Sequence, residues 1–148
     1  MEKSRELLQH RAVDYWMVEC HPYLKQEKLL EFCKSNDIVL VAYCPIGSSR
    51  HPNWTDQSTP VVLMDPQLSS IAEKYSRTVA QIALRYLLQR GIAVIPKSFN
   101  LGRIKENFQV FDFTLAEEDM NLINNIPIKT RYINMFTNYP DCPFLDEY

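Results

Sequence analysis

An α/β fold with parallel strands is what the sequence predicts, and three observations carry that reading. Short apolar runs alternate along the chain with stretches of helical periodicity. Only three glycines occur in 148 residues, too few for repeated tight hairpins of an all-β fold. The chain is 46% hydrophobic and 23% charged, enough apolar material for one globular core.

The elements follow in order. Val13 to Glu19 is rich in bulky apolar residues and is closed by the turn-prone Cys20-His21-Pro22-Tyr23, so it reads as a strand. Between Gln26 and Asn36, Leu29, Phe32 and Cys33 fall at helical spacing among Lys and Glu residues, an amphipathic helix. Ile38-Val39-Leu40-Val41-Ala42-Tyr43 is almost wholly apolar, as a strand buried on both faces is. The Pro-containing segment Cys44 to about Val62 is long for a compact domain and reads as a functional loop. Asp65-Pro66 opens the next helix with an acid as N-cap and proline at its first position.

Thr78-Val79-Ala80-Gln81 has capping-box form, with Val79, Ile82, Ala83 and Tyr86 on one face of the helix it starts and Gly91 at its end. Ile92-Ala93-Val94-Ile95 is a third strand, stopped by Pro96. Leu101 to Gln109 reads as a helix with Leu101, Ile104 and Phe108 on one side. Thr114-Leu115-Ala116-Glu117 is a second capping box, opening a helix to about Asn125, and an aromatic tail with prolines follows from Ile126. Strands alternating with helices imply right-handed crossovers, hence a doubly wound sheet or part of a (β/α) barrel. With three strands where a barrel has eight, the chain would hold somewhat less than half of one.

Sixteen Lys and Arg against eighteen Asp and Glu leave a net charge of −2 with no long block of either sign, which argues against nucleic acid and against an anionic membrane as partners. No apolar run approaches a transmembrane span and no signal-like segment opens the chain, so the expectation is a soluble, cytoplasmic protein. Cys20, Cys33, Cys44 and Cys142 form no C-x-x-C pair and read as reduced thiols. Cys20-His21 lacks a second cluster to complete a metal site.

Ligands of parallel α/β sheets lie at the carboxyl ends of the strands, so the loops after Glu19, Tyr43 and Ile95 are where a site is sought. Pro96-Lys97-Ser98-Phe99-Asn100 feeds a helix whose first turn holds Leu101, Gly102 and Arg103. A helix N-terminus, two cations and a hydroxyl make a phosphate site by chemistry; the competing reading is a solvated turn with Asn100 as N-cap. Tyr43 can stack on a planar heterocycle, with Gly47 and Ser48 in the following loop able to approach a phosphate, or it packs in the core.

Together, Val18-Glu19-Cys20-His21-Pro22-Tyr23, Val41-Ala42-Tyr43-Cys44-Pro45-Ile46-Gly47, Ala80-Gln81-Ile82-Ala83-Leu84-Arg85 and Ile95-Pro96-Lys97-Ser98-Phe99-Asn100-Leu101-Gly102-Arg103 closely resemble the aldo-keto reductases. The ending Tyr139-Pro140 through Asp146-Glu147-Tyr148 is similar to the vertebrate branch of hydroxysteroid dehydrogenases and prostaglandin reductases. The resemblance implies a single domain over residues 1–148, the C-terminal portion of a (β/α)8 TIM-type barrel, with 1–17 a divergent start and 128–148 a C-terminal loop. It also implies NADP(H) as cofactor. Tyr43 would stack on the nicotinamide; Cys44, where a serine is usual, Ile46 and Ser48 would line the pyrophosphate. Lys97, Ser98, Phe99, Asn100 and Arg103 would hold the adenosine 2′-phosphate, and Glu106 and Asn107 would contact the adenine. Trp54 and the tail aromatics would shape a substrate pocket.

The likeness has gaps. The family's Asp, Tyr, Lys and His quartet matches no residue of this chain, and Met17 stands where a glutamine would hold the nicotinamide amide. His21 and Tyr23 follow a strand at the active face, yet a turn-forming His-Pro with a packed Tyr is the expectation for them rather than substitute acids. The resulting expectation is a truncated, catalytically inactive relative of NADPH-dependent carbonyl and hydroxysteroid oxidoreductases. The alternative is a non-catalytic interaction protein that self-associates through open strand edges.

Overall fold

The computed structural model describes residues 14–48, Pro52 and residues 56–133. Three strands, β1 (Tyr15–Glu19), β2 (Val39–Tyr43) and β3 (Ala93–Val94), form one parallel sheet in the order β1-β2-β3. Five helices connect and follow them: α1 (Glu27–Ser35), α2 (Pro66–Tyr75), α3 (Val79–Gln89), α4 (Leu101–Phe108) and α5 (Glu117–Asn124). The order of strands and helices is the one expected, and three adjacent parallel strands joined by helical crossovers are a segment of barrel architecture. Tyr15 pairs with Val39 and Glu19 with Tyr43 across β1 and β2, while Val41 pairs with Ala93 across β2 and β3.

Side chains alternate across this sheet. Val18, Leu40 and Ala42 enter a continuous core with Leu30 and Cys33 of α1, Leu68 and Ile71 of α2, and Ile82, Tyr86 and Leu87 of α3. Each Val, Leu or Ile side chain among them contributes roughly 1.5–3 kcal/mol by leaving water. The opposite face is open toward the amino end: Tyr15, Met17 and Val39 are about half exposed. This corrects the expectation that β2 is buried on both sides. Its apolar run reflects a face that would line a closed barrel, and the three strands of the described residues do not enclose that interior.

The helix boundaries follow from their caps. Asp65 Oδ1 accepts from the N–H groups of Gln67 and Leu68 at 2.8 and 2.9 Å, with Pro66 at the first helical position of α2. The Thr78–Gln81 capping box is formed in both directions at the start of α3, and Gly91 ends that helix at φ +82°. The second expected box is not formed. α5 begins at Glu117 with Ala116 as its N-cap and no side-chain cap, while the Thr114 hydroxyl accepts from Arg85 Nη2 at 3.0 Å. Glu117, Glu118 and Asp119 in the first turn complement the helix dipole instead.

α4 departs in a different way. It is helical where expected, but no residue of it is buried, and Leu101, Ile104 and Phe108 point outward. Polar tethers hold it: Gln81 Nε2 donates to the carbonyls of Glu106 and Gln109. Before α2 the long loop closes in a 3₁₀ turn, Val62–Met64, that periodicity does not reveal.

Candidate functional site

Because β2 and β3 are parallel neighbours, the loops after Tyr43 and after Val94 leave the same, carboxyl, end of the sheet. The residues selected from sequence for cofactor contact occupy the end of β2, these two loops and both ends of α4. Tyr43 ends β2, half-buried, on the same face as Glu19. Burial, with the negative charge of Glu19 adding to it, raises the Tyr43 hydroxyl's pKa, so the ring keeps its proton at neutral pH.

Cys44 takes the left-handed conformation at φ +51°, and burial pushes its thiol up to about 11. It is therefore a protonated thiol and not a nucleophile. The turn is closed by Gly47 N–H donating to the Cys44 carbonyl at 2.9 Å. Gly47 has φ +88°, a conformation that calls for glycine, and a Cβ there would sit in contact with the Tyr132 ring, 3.4 Å from Cε2. Ile46 packs against the core and Ser48 is half-buried.

After β3, Asn100 is the N-cap of α4, its Oδ1 accepting from Arg103 N–H at 3.0 Å, and Ser98 Oγ accepts from Asn100 N–H at 3.1 Å. The capped turn expected as the competing reading is thus present. It does not use up the helix terminus: among the described residues, the Leu101 and Gly102 N–H groups of the first turn have no acceptor within the chain. Lys97 Nζ lies 3.5 Å over the Phe99 ring, which is 90% exposed. Among the described residues neither Lys97 nor Arg103 is ion-paired, whereas Lys74 and Arg77 are each bound to carboxylates. Glu106 and Asn107, near the end of α4, are half-buried.

Met17 stands opposite Val41 on the open face, about half exposed. Trp54, the tail aromatics from Phe136 onward, Cys142 and most of the divergent start lie outside the described residues. His21 is fully buried. Its Nδ1 accepts from Tyr23 N–H at 3.2 Å, which leaves the proton on Nε2, 3.0 Å from Glu19 Oε1. Burial holds the imidazole below its ordinary 6.5 despite the Glu19 carboxylate. Neither His21 nor Tyr23, whose hydroxyl donates to Asp65 Oδ2 at 2.7 Å, faces the site as an acid.

The sequence assigned no role to Glu19, and Tyr132 entered only among the tail aromatics expected to shape a substrate pocket; its ring is instead buried against Gly47. Both carboxylate oxygens of Glu19 accept main-chain N–H groups from the C-terminal segment, Tyr132 at 2.6 Å and Ile133 at 3.0 Å. The Tyr132 hydroxyl in turn donates to the Pro60 carbonyl at 2.5 Å and accepts from Val62 N–H at 3.2 Å. The available signal was an acid ending an apolar strand, since an unpaired carboxylate does not sit at 0% exposure.

Residues 2–128 match the Aldo/keto reductase family, a match that begins inside the segment read as a divergent start. The chain is 58% identical over 133 residues to estradiol 17 beta-dehydrogenase 5 of Mus musculus, covering 88% of this chain and 41% of that protein. It is 57% identical to aldo-keto reductase family 1 member C15 of Rattus norvegicus and 56% identical to prostaglandin-E(2) 9-reductase of Oryctolagus cuniculus, with the same coverages. The chain thus spans about two-fifths of the length of these relatives.

Proposed function

Because this chain belongs to the aldo/keto reductase family, whose fold is the (β/α)8 barrel, we propose that it binds NADP(H) across the loops after β2 and β3. The observation that carries this reading is the pair of cations, Lys97 and Arg103, neither of them ion-paired among the described residues, flanking an incompletely capped helix N-terminus beside the strand that ends in Tyr43. A 2′-phosphate there would gain charge-assisted hydrogen bonds from both side chains, with Ser98 and the first-turn N–H groups completing the shell. Phe99 and Asn100 would shape that pocket, and Glu106 and Asn107 would meet the adenine from the same helix.

On the neighbouring strand the Tyr43 ring would stack on the nicotinamide, while the turn Cys44, Ile46, Gly47 and Ser48 would lie along the pyrophosphate. Glycine at 47 lets that turn form, since its φ of +88° is one that side-chain-bearing residues rarely adopt. NADPH, when bound, supplies hydride. This chain's own residues supply orientation and charge, and none of them matches the family's Asp, Tyr, Lys and His quartet. We therefore infer that the chain by itself does not reduce carbonyls. The hydroxysteroid and prostaglandin chemistry named in its relatives would require groups beyond those described in this chain.

A second reading is favoured by the open sheet face, where Tyr15, Met17 and Val39 stand half exposed beside strand edges that are unpaired among the described residues. That surface suits self-association. Titration of the purified chain with NADPH and NADH, followed by Trp fluorescence, separates the two. Tighter binding of NADPH supports the cofactor reading, and equal affinities refute the 2′-phosphate assignment. A concentration-dependent dimer with no nucleotide affinity supports the second reading.

A further inference from the structure

We propose that Glu19 is a positioning residue for the ligand site: its buried carboxylate fixes residues 131–133, and through the Tyr132 hydroxyl residues 60–62, against the turn that follows Tyr43. The inference deepens the cofactor reading and rests on it for the identity of the ligand. The geometry is continuous. Glu19 is the register partner of Tyr43, fully buried on the face of the sheet that is open further down. Its two oxygens hold two successive N–H groups, Tyr132 and Ile133, so the approach of that segment is fixed at two points.

The Tyr132 ring then packs on Gly47, 3.4 Å from where a Cβ would stand, and its hydroxyl is held at 2.5 and 3.2 Å by Pro60 and Val62. One ionised group thereby ties β1, the C-terminal segment and both ends of the loop after β2. The charged and titratable groups around it are consistent with an ionised Glu19: His21 donates through Nε2, Arg131 Nη1 lies 3.9 Å away, and Tyr43 and Cys44 face it as neutral groups. The Lys97 and Arg103 end of the site makes no bond to this assembly among the described residues. Glu19 should therefore govern the nicotinamide half and leave the adenosine half alone.

The test compares the parent chain with Glu19→Gln and Tyr132→Phe by backbone amide exchange, and by titration with NADPH and with adenosine 2′,5′-bisphosphate, which carries only the adenosine half. Glu19→Gln replaces one acceptor oxygen by an amide NH2, so exchange at Ile133, Tyr132 and Val62 should quicken at least about tenfold relative to α3. Thr130 N–H, bound to the Tyr23 carbonyl, should hold. Tyr132→Phe should release Val62 and spare Ile133. In Glu19→Gln the affinity for NADPH should fall while that for adenosine 2′,5′-bisphosphate stays within about twofold, a split that general loosening of the fold does not produce.

Unchanged exchange at residues 131–133 and 62 overturns the proposal, as does an equal loss of both ligands. If Glu19→Gln unfolds throughout, Tyr132→Phe decides, and parent-like Val62 protection with parent-like NADPH affinity refutes the coupling. If the parent binds neither nucleotide, the cofactor reading fails, and the exchange pattern alone still upholds or refutes the positioning.

Discussion

Replacing Asp65 by Ala tests how the loop after β1 is joined to the helix that follows the long loop. Asp65 is 5% exposed, caps α2 through two N–H groups and accepts the Tyr23 hydroxyl across 42 residues of sequence. Loss of an N-cap carboxylate costs about 1 kcal/mol, within a range of roughly 0.5–2. A buried Tyr23 hydroxyl left without its acceptor costs about 1–3 kcal/mol more. Asp65→Ala should therefore destabilise by roughly 2–4 kcal/mol. Asp65→Asn keeps a capping oxygen and should lose about half of that. The assay is equilibrium urea unfolding read as a shift in midpoint at constant slope. In a double-mutant cycle Tyr23→Phe should cost far less on the Asp65→Ala background than on the parent, with a coupling of about 1 kcal/mol or more. A loss under about 1 kcal/mol for Asp65→Ala, or strictly additive effects, would refute the reasoning.

Thr78→Ala should cost about 1 kcal/mol because its capping box is formed, whereas Thr114→Ala should cost under about 0.5, since that hydroxyl meets only a partly exposed Arg85; urea midpoints compare the two. Arg103→Ala should narrow the preference for NADPH over NADH, measured by fluorescence titration, and leave the NADH affinity within about threefold. Stability should fall as pH drops below 6.5 and on through 4.5: burial keeps His21 from taking the proton that the unfolded chain accepts, and Glu19, against its own burial, is held below its ordinary value by His21 and the Tyr132 N–H. In both cases the unfolded state binds more protons, so thermal midpoints at pH 7 and pH 5 should differ in that sense, and Glu19→Gln with His21→Phe should flatten the slope. Above pH 9 the sign reverses, because burial raises Cys20 to about 12 and Cys44 to about 11 while unfolded thiols ionise at 9.0. The isolated chain should show no NADPH oxidation with aldehydes, quinones or ketosteroids, and turnover abolished by Tyr43→Ala or Lys97→Ala would overturn that inference.

The order of strands and helices, the caps at Asp65 and Thr78, and the loops bearing Tyr43 and Lys97 were legible in the sequence because each depends on local chemistry: periodicity, capping spacing, and a proline or glycine where a helix starts or stops. The family, too, was legible, since its motifs are short and contiguous. Three features waited for the tertiary structure. Thr114 has the spacing of a cap, but Arg85, 29 residues away, takes its hydroxyl. The apolar stripes of β2 and α4 look alike as core-facing patterns, yet one side of each is open, because hydrophobicity records what a surface is suited to cover and not what stands against it. Glu19 acquires its role only when residues 113 and 114 positions later return to its two oxygens, and no local pattern encodes a contact whose partners meet solely through the path of the chain.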